Sequence, residues 1–115
     1  MEIGYDDKKV QTLFEDFNLM ARKKGGDLTK MVKKRYNQLR AAETFYDYLL
    51  TGLGKPHPLY KDKKDLYGIH LTGHIRLIIK PISEELTQEA FKKCTKVIIK
   101  GAEDYHGNKT TTYIP

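Results

Sequence analysis

Apolar residues in the first half of the chain recur at steps of three and four. Val10, Leu13, Phe14, Phe17, Met20 and Ala21 fall on one stripe, which predicts an amphipathic helix. Asp6 and Asp7 precede it and supply an N-cap and favourable charge for its first turn. Gly25-Gly26 breaks the pattern, and Asp27 is placed to cap a second helix. Along that helix Leu28, Met31, Val32, Tyr36, Leu39, Ala42, Phe45, Tyr46 and Leu49 share a stripe. Lys30, Lys33, Lys34 and Arg40 lie outside it, and Gly52 marks its end. Met1–Tyr5 reads as a short first strand. Two amphipathic helices in succession need a flat apolar partner.

The second half supplies one. After the Gly/Pro-rich stretch Thr51–Pro58 the period changes to two. Tyr67, Ile69 and Leu71 alternate with Gly68 and His70, Thr72-Gly73 turns the chain, and Ile75, Leu77 and Ile79 alternate with Arg76, Ile78 and Lys80. This predicts a β-hairpin that Pro81 stops. Ser83–Lys93 is expected to be helical, capped by Ser83 or Thr87, and Val97–Ile99 forms a last strand. With no repeat, low-complexity tract or linker, residues 1–115 read as one α+β domain. If Ile75, Leu77 and Ile79 face the helices, Arg76 stands on the open face of the sheet. An arginine there pairs with a surface carboxylate or serves a site.

Composition narrows the picture. No run of about 20 apolar residues spans a membrane, and the acidic, polar Met1–Asp7 is not a secretory signal. The single Cys94 excludes an intrachain disulfide framework and a multi-cysteine zinc site; it reads as a semi-buried thiol in a reducing cytoplasm. The formal charge of +6 is uneven: residues 1–21 carry −3 and the remainder +9, densest in Arg22–Arg40 and Lys55–Lys64. Such an excess suits nucleic acid or an anionic surface, although an ordinary solvated surface accounts for the charge equally well.

Two segments carry candidate chemistry. Glu103-Asp104-Tyr105-His106-Gly107 follows a strand with a group that titrates near neutrality beside two hydrogen-bonding partners. Lys55-Pro56-His57-Pro58-Leu59-Tyr60-Lys61-Asp62-Lys63-Lys64 leads into the hairpin with a histidine, a tyrosine and several cations. Together with Arg76 these are the parts of metal-free RNA cleavage: a base for the 2′-OH, cations for the phosphorane and an acid for the 5′-oxygen. Tyr60 and Tyr67 are candidate stacking partners for unpaired bases, with core or rim packing as the alternative. His57, set between two prolines, is divided between function and loop anchoring. His70 and His74 flank the turn, but two ligands do not close a zinc site. No cofactor or metal is expected.

The order of these pieces resembles the HigB branch of the RelE/ParE superfamily of bacterial toxins. The resemblance rests on His57-Pro58-Leu59, Lys61-Asp62-Lys63-Lys64, the strand led by Tyr67, and His74-Ile75-Arg76-Leu77-Ile78-Ile79. The terminal Glu103-Asp104-Tyr105-His106 and the helical Arg35-Tyr36-Asn37-Gln38-Leu39-Arg40-Ala41-Ala42 complete it. It implies two N-terminal helices packed on a small curved antiparallel sheet, and a ribosome-dependent mRNA endoribonuclease of a type II toxin–antitoxin pair in the bacterial cytoplasm. His57, Arg76, Asp104, Tyr105 and His106 would be catalytic; Tyr60, Lys61, Lys63, Lys64 and Tyr67 would contact RNA. The partners implied are the ribosome, mRNA and a HigA-like helix-turn-helix antitoxin, with operator DNA met only through the antitoxin complex and no membrane. This chain departs from the family at Asp65-Leu66, where a glycine is usual, and at Thr72-Gly73-His74. It also carries a short insertion at about 82–95 and a tail at 108–115. A ParE-like toxin that inhibits gyrase, or a non-catalytic basic RNA-binding module, are the alternatives.

Overall fold

The computed structural model describes residues 1–59, 65–106 and 109–115, with Tyr105 and His106 described by backbone alone. In chain order the elements are β1 (Glu2–Tyr5), α1 (Lys8–Phe14), α2 (Phe17–Lys24), α3 (Gly26–Ala41), α4 (Phe45–Thr51), β2 (His57–Pro58), β3 (Tyr67–Thr72), β4 (Ile75–Pro81), α5 (Gln88–Phe91), β5 (Lys96–His106) and β6 (Lys109–Ile114). The α+β class follows the change of period along the chain.

Each of the two expected helices is divided. The Asp7 carboxylate caps α1, accepting from the amides of Lys9 (2.8 Å) and Val10 (3.2 Å). Nine residues later Asp16 repeats the device, accepting from the Leu19 amide at 3.0 Å, so the stripe continues across a fresh helix start. Gly25, at φ 95°, separates α2 from α3. Asp27 is not the cap expected of it and lies in the first turn, where its charge complements the helix dipole. A second break falls at Ala42, which is extended, and the Thr44 hydroxyl caps α4 by accepting from the Asp47 amide at 3.1 Å. Gly52 closes α4 in the left-handed conformation, as its position suggests.

The sheet runs β1-β5-β4-β3-β2, and β6 pairs with β5. It is mixed rather than antiparallel, because β1 lies parallel to β5. Parallel neighbours need a long crossover, and everything between Tyr5 and Lys96 serves as one. β5 extends well beyond the expected Val97–Ile99, and the tail returns along it as β6, ending in the buried Ile114. Gly101 permits that return: a Cβ there would stand 2.2 Å from the Ile114 carbonyl oxygen. Of Ser83–Lys93 only Gln88–Phe91 is helical, capped by Thr87; the segment is built into the fold by the buried Phe91 and by the buried Cys94 that follows it.

The helices cover one face of the sheet. Val10, Met20, Val32, Leu39, Phe45 and Tyr48 pack with Ile69, Leu71, Leu77, Ile79, Val97 and Ile99. Leu77 and Ile79 thus face the helices as the alternation requires. Arg76 is turned to the open face, which it shares with His57 and His70.

Candidate functional site

The cleft on the open face is built by register. His57 on β2 stands opposite Gly68 on β3, and His70, two residues along β3, stands opposite Arg76 on β4. Residues paired across a ladder share a face, so both pairs project to the same side. Gly68 lies under the imidazole: a Cβ there would be in ordinary contact with the Cε1 and Nε2 atoms of His57 at 3.5 Å. Lys55 lies at φ 47° just after the left-handed Gly54, and this turn brings the chain back over β3. The His70 amide donates to the Gly54 carbonyl at 2.7 Å.

The result is a cleft of about 390 Å³ lined by Lys55, His57, His70, Gly73, His74 and Arg76. Among the described residues two fixed cations and three imidazoles line it and no carboxylate does, a composition that suits an anion. His57 Nδ1 lies 3.1 Å from the Lys55 carbonyl oxygen. Because a carbonyl only accepts, Nδ1 carries the proton and Nε2 of the neutral ring keeps a basic lone pair. Arg76 Nη1 makes long contacts to the carbonyls of Gly73 (3.3 Å) and Ile75 (3.4 Å), which lean the guanidinium toward the hairpin turn. Glu103 stands opposite it on β5. Behind the cleft the buried Arg35 of α3 donates from Nε to the His70 carbonyl (2.9 Å) and from Nη1 to Gln38 Oε1 (2.9 Å). Among the described residues no group of three or more His, Cys, Asp or Glu is placed to hold a metal ion.

No protein-family model matches the sequence, and no curated protein matches it. A solved structure does: a YoeB/ParE toxin from Agrobacterium tumefaciens, 17% identical, with a TM-score of 0.55 over 92% of this chain and 100% of that one. The chain has the fold of that toxin. At this identity the likeness is one of fold, and it is broader than the HigB branch that the motifs resemble. Among the described residues no helix is long and apolar enough to cross a membrane.

Within the toxin fold, the residues singled out from sequence separate into three groups. His57 and Arg76 line one cleft together. Tyr67 does not offer a stacking platform: the residue is 8% exposed, and its ring lies edge-on to Phe45 (centroids 5.0 Å apart) and Phe91 (6.0 Å), on the helix-covered face. Asp104 pairs with Ile75, in the row next to that of Arg76 and on the opposite side of the sheet by alternation. Its Oδ1 is buried, with no hydrogen-bond partner among the described residues. Tyr105 and His106 continue β5 opposite Thr110 and Lys109. Tyr60, Lys61, Lys63 and Lys64, together with the side chains of Tyr105 and His106, lie outside the described residues.

Lys55, His70 and His74 line the cleft without having been assigned to it from sequence. For His70 the signal was present: it is a polar residue in a strand whose alternate positions are apolar.

Proposed function

We propose that this chain is the toxin of a type II toxin–antitoxin pair and a metal-independent endoribonuclease of the HigB kind, cutting mRNA on the ribosome in the bacterial cytoplasm. The observation that carries this reading is the cleft itself. Basic imidazole nitrogen, guanidinium and ammonium converge on the sheet face that the helices leave open, in a fold shared with a YoeB/ParE toxin. His57 Nε2 suits the role of general base toward a 2′-OH, and Arg76 with Lys55 supplies charge for the phosphorane oxygens. Lys61, Lys63, Lys64 and Tyr60 are assigned to RNA contact and Tyr105 and His106 to catalysis, while Asp104, on the other side of the sheet from Arg76, is given no part in the cleft. A HigA-like helix-turn-helix antitoxin is the proposed partner.

Purified protein added to translating ribosomes should cut mRNA, and Arg76→Ala should lose most of that activity while keeping its circular-dichroism spectrum. Intact mRNA with the wild-type protein refutes the assignment. Gyrase inhibition in its place would select the ParE-like reading.

A further inference from the structure

We infer that His70 is a second proton-transfer residue of this cleft, the general acid that works opposite His57 when a phosphodiester is cleaved. The inference rests on the RNA-cleavage reading above. His57 pairs with Gly68 and His70 with Arg76, so the two histidines are diagonal neighbours on adjacent strands. Diagonal positions lie about 7–8 Å apart, which lets two rings reaching inward bracket one phosphate, one on the side of the entering oxygen and one on the side of the leaving oxygen.

His57 has its Nδ1 proton committed to the Lys55 carbonyl, which leaves Nε2 as the base. The acid must then be another group, and among the described residues lining the cleft His70 is the histidine on a central strand directly opposite Arg76. Its amide donates to Gly54 and its carbonyl accepts from Arg35, so both backbone groups on the side away from β4 are engaged. Its half-buried side chain faces Arg76 across the ladder. A bound phosphodiester brings one negative charge to Arg76 and Lys55, and attack by the 2′-oxygen adds a second on the phosphorane, which favours a proton donor at the leaving oxygen.

The step balances as follows. His57 Nε2 takes the 2′-OH proton, the 2′-oxygen bonds to phosphorus, the bond from phosphorus to the 5′-oxygen breaks, and the His70 imidazolium donates its proton to that oxygen. The products are a 2′,3′-cyclic phosphate and a 5′-hydroxyl, with one proton gained at His57 and one lost at His70.

The test compares wild type, His70→Gln and His70→Ala on ribosome-bound mRNA. One substrate is ordinary and the other carries sulfur in place of the bridging 5′-oxygen at the linkage that wild type cuts. A thiolate leaves without a proton. The variants should lose on the order of 10² to 10⁴ in rate on the oxygen substrate and no more than about tenfold on the sulfur substrate. Equal loss on both substrates, or no loss on the oxygen substrate, overturns the role of His70 and leaves the RNA-cleavage reading standing. A wild-type protein that cuts neither substrate overturns both. The bonds that hold residue 70 are made by its backbone, so the Gln variant should fold, and its melting temperature verifies that.

Discussion

Arg35→Met isolates the contribution of a buried cation that lies behind the cleft and outside it. Arg35 is 9% exposed; its Nε donates to the His70 carbonyl and its Nη1 to Gln38, each at 2.9 Å. Two effects oppose each other. A hydrogen bond from a charged donor contributes about 1.5–3 kcal/mol, and its removal leaves the His70 carbonyl without that partner. Against this, removing the guanidinium relieves the cost of holding a charge away from water, and Met keeps most of the aliphatic stem packed. The orphaned carbonyl should outweigh the relief, giving a net loss of about 2 kcal/mol. For a domain of this size that is a fall of roughly 8 °C in melting temperature. Thermal and urea melts read the loss, and amide hydrogen exchange at His70 and Ile69 should quicken, because β3 is no longer fastened to α3. A variant as stable as wild type would show that burying the guanidinium costs as much as its bonds contribute, and would refute a net stabilising role for Arg35.

Two further predictions concern stability. Gly101→Ala should detach the end of β6, since its Cβ would fall 2.2 Å from a backbone oxygen; losing the burial of Ile114 costs about 1.5–3 kcal/mol. Gly73→Ala, with φ 55° and nothing within 4 Å, measures the backbone strain alone, and equal losses in the two variants would refute the steric argument. Tyr48 is buried and its hydroxyl donates to the Leu53 carbonyl at 2.6 Å; burial pushes its pKa from 10.0 to about 12, against a smaller opposing effect of the Arg35 charge. The folded chain thus keeps a proton that the unfolded chain releases, so this contribution is whole below pH 10 and is lost as pH rises toward 12. Tyr48→Phe should flatten that part of the alkaline slope of urea midpoints, and an unchanged slope would count against the assignment.

Period and punctuation made much of the fold readable. The three- and four-residue steps located the helical half, and the alternation at Tyr67–Lys80 located the hairpin with the correct face inward. The helix breaks were missed because Asp16 and Thr44 interrupt the backbone without interrupting the stripe. An N-cap at those positions starts a new helix while the next apolar residue still falls toward the core. The parallel edge strand and β6 were missed for a different reason. Their placement depends on pairings far along the chain, and the Thr-rich sequence of β6 shows little apolar alternation before the buried Ile114.

The site was harder to read than the fold because two residues adjacent in sequence belong to opposite faces of a strand. Asp104 is one position from Glu103, yet Glu103 stands opposite Arg76 and Asp104 stands opposite Ile75. Tyr67 is one position from Gly68, yet Gly68 lies under the His57 ring while Tyr67 packs with Phe45 and Phe91. A motif of consecutive residues therefore overstates how many of them reach one cleft; within a regular strand, every second residue is the most that does so. The stronger guide is the complement of the core pattern. Once Ile69, Leu77 and Ile79 are assigned to the helix side, His70 and Arg76 must lie on the other, and register places them opposite each other. The alternation that builds the apolar face also assembles the cationic one, which is why a residue as inconspicuous in sequence as His70 lines the cleft.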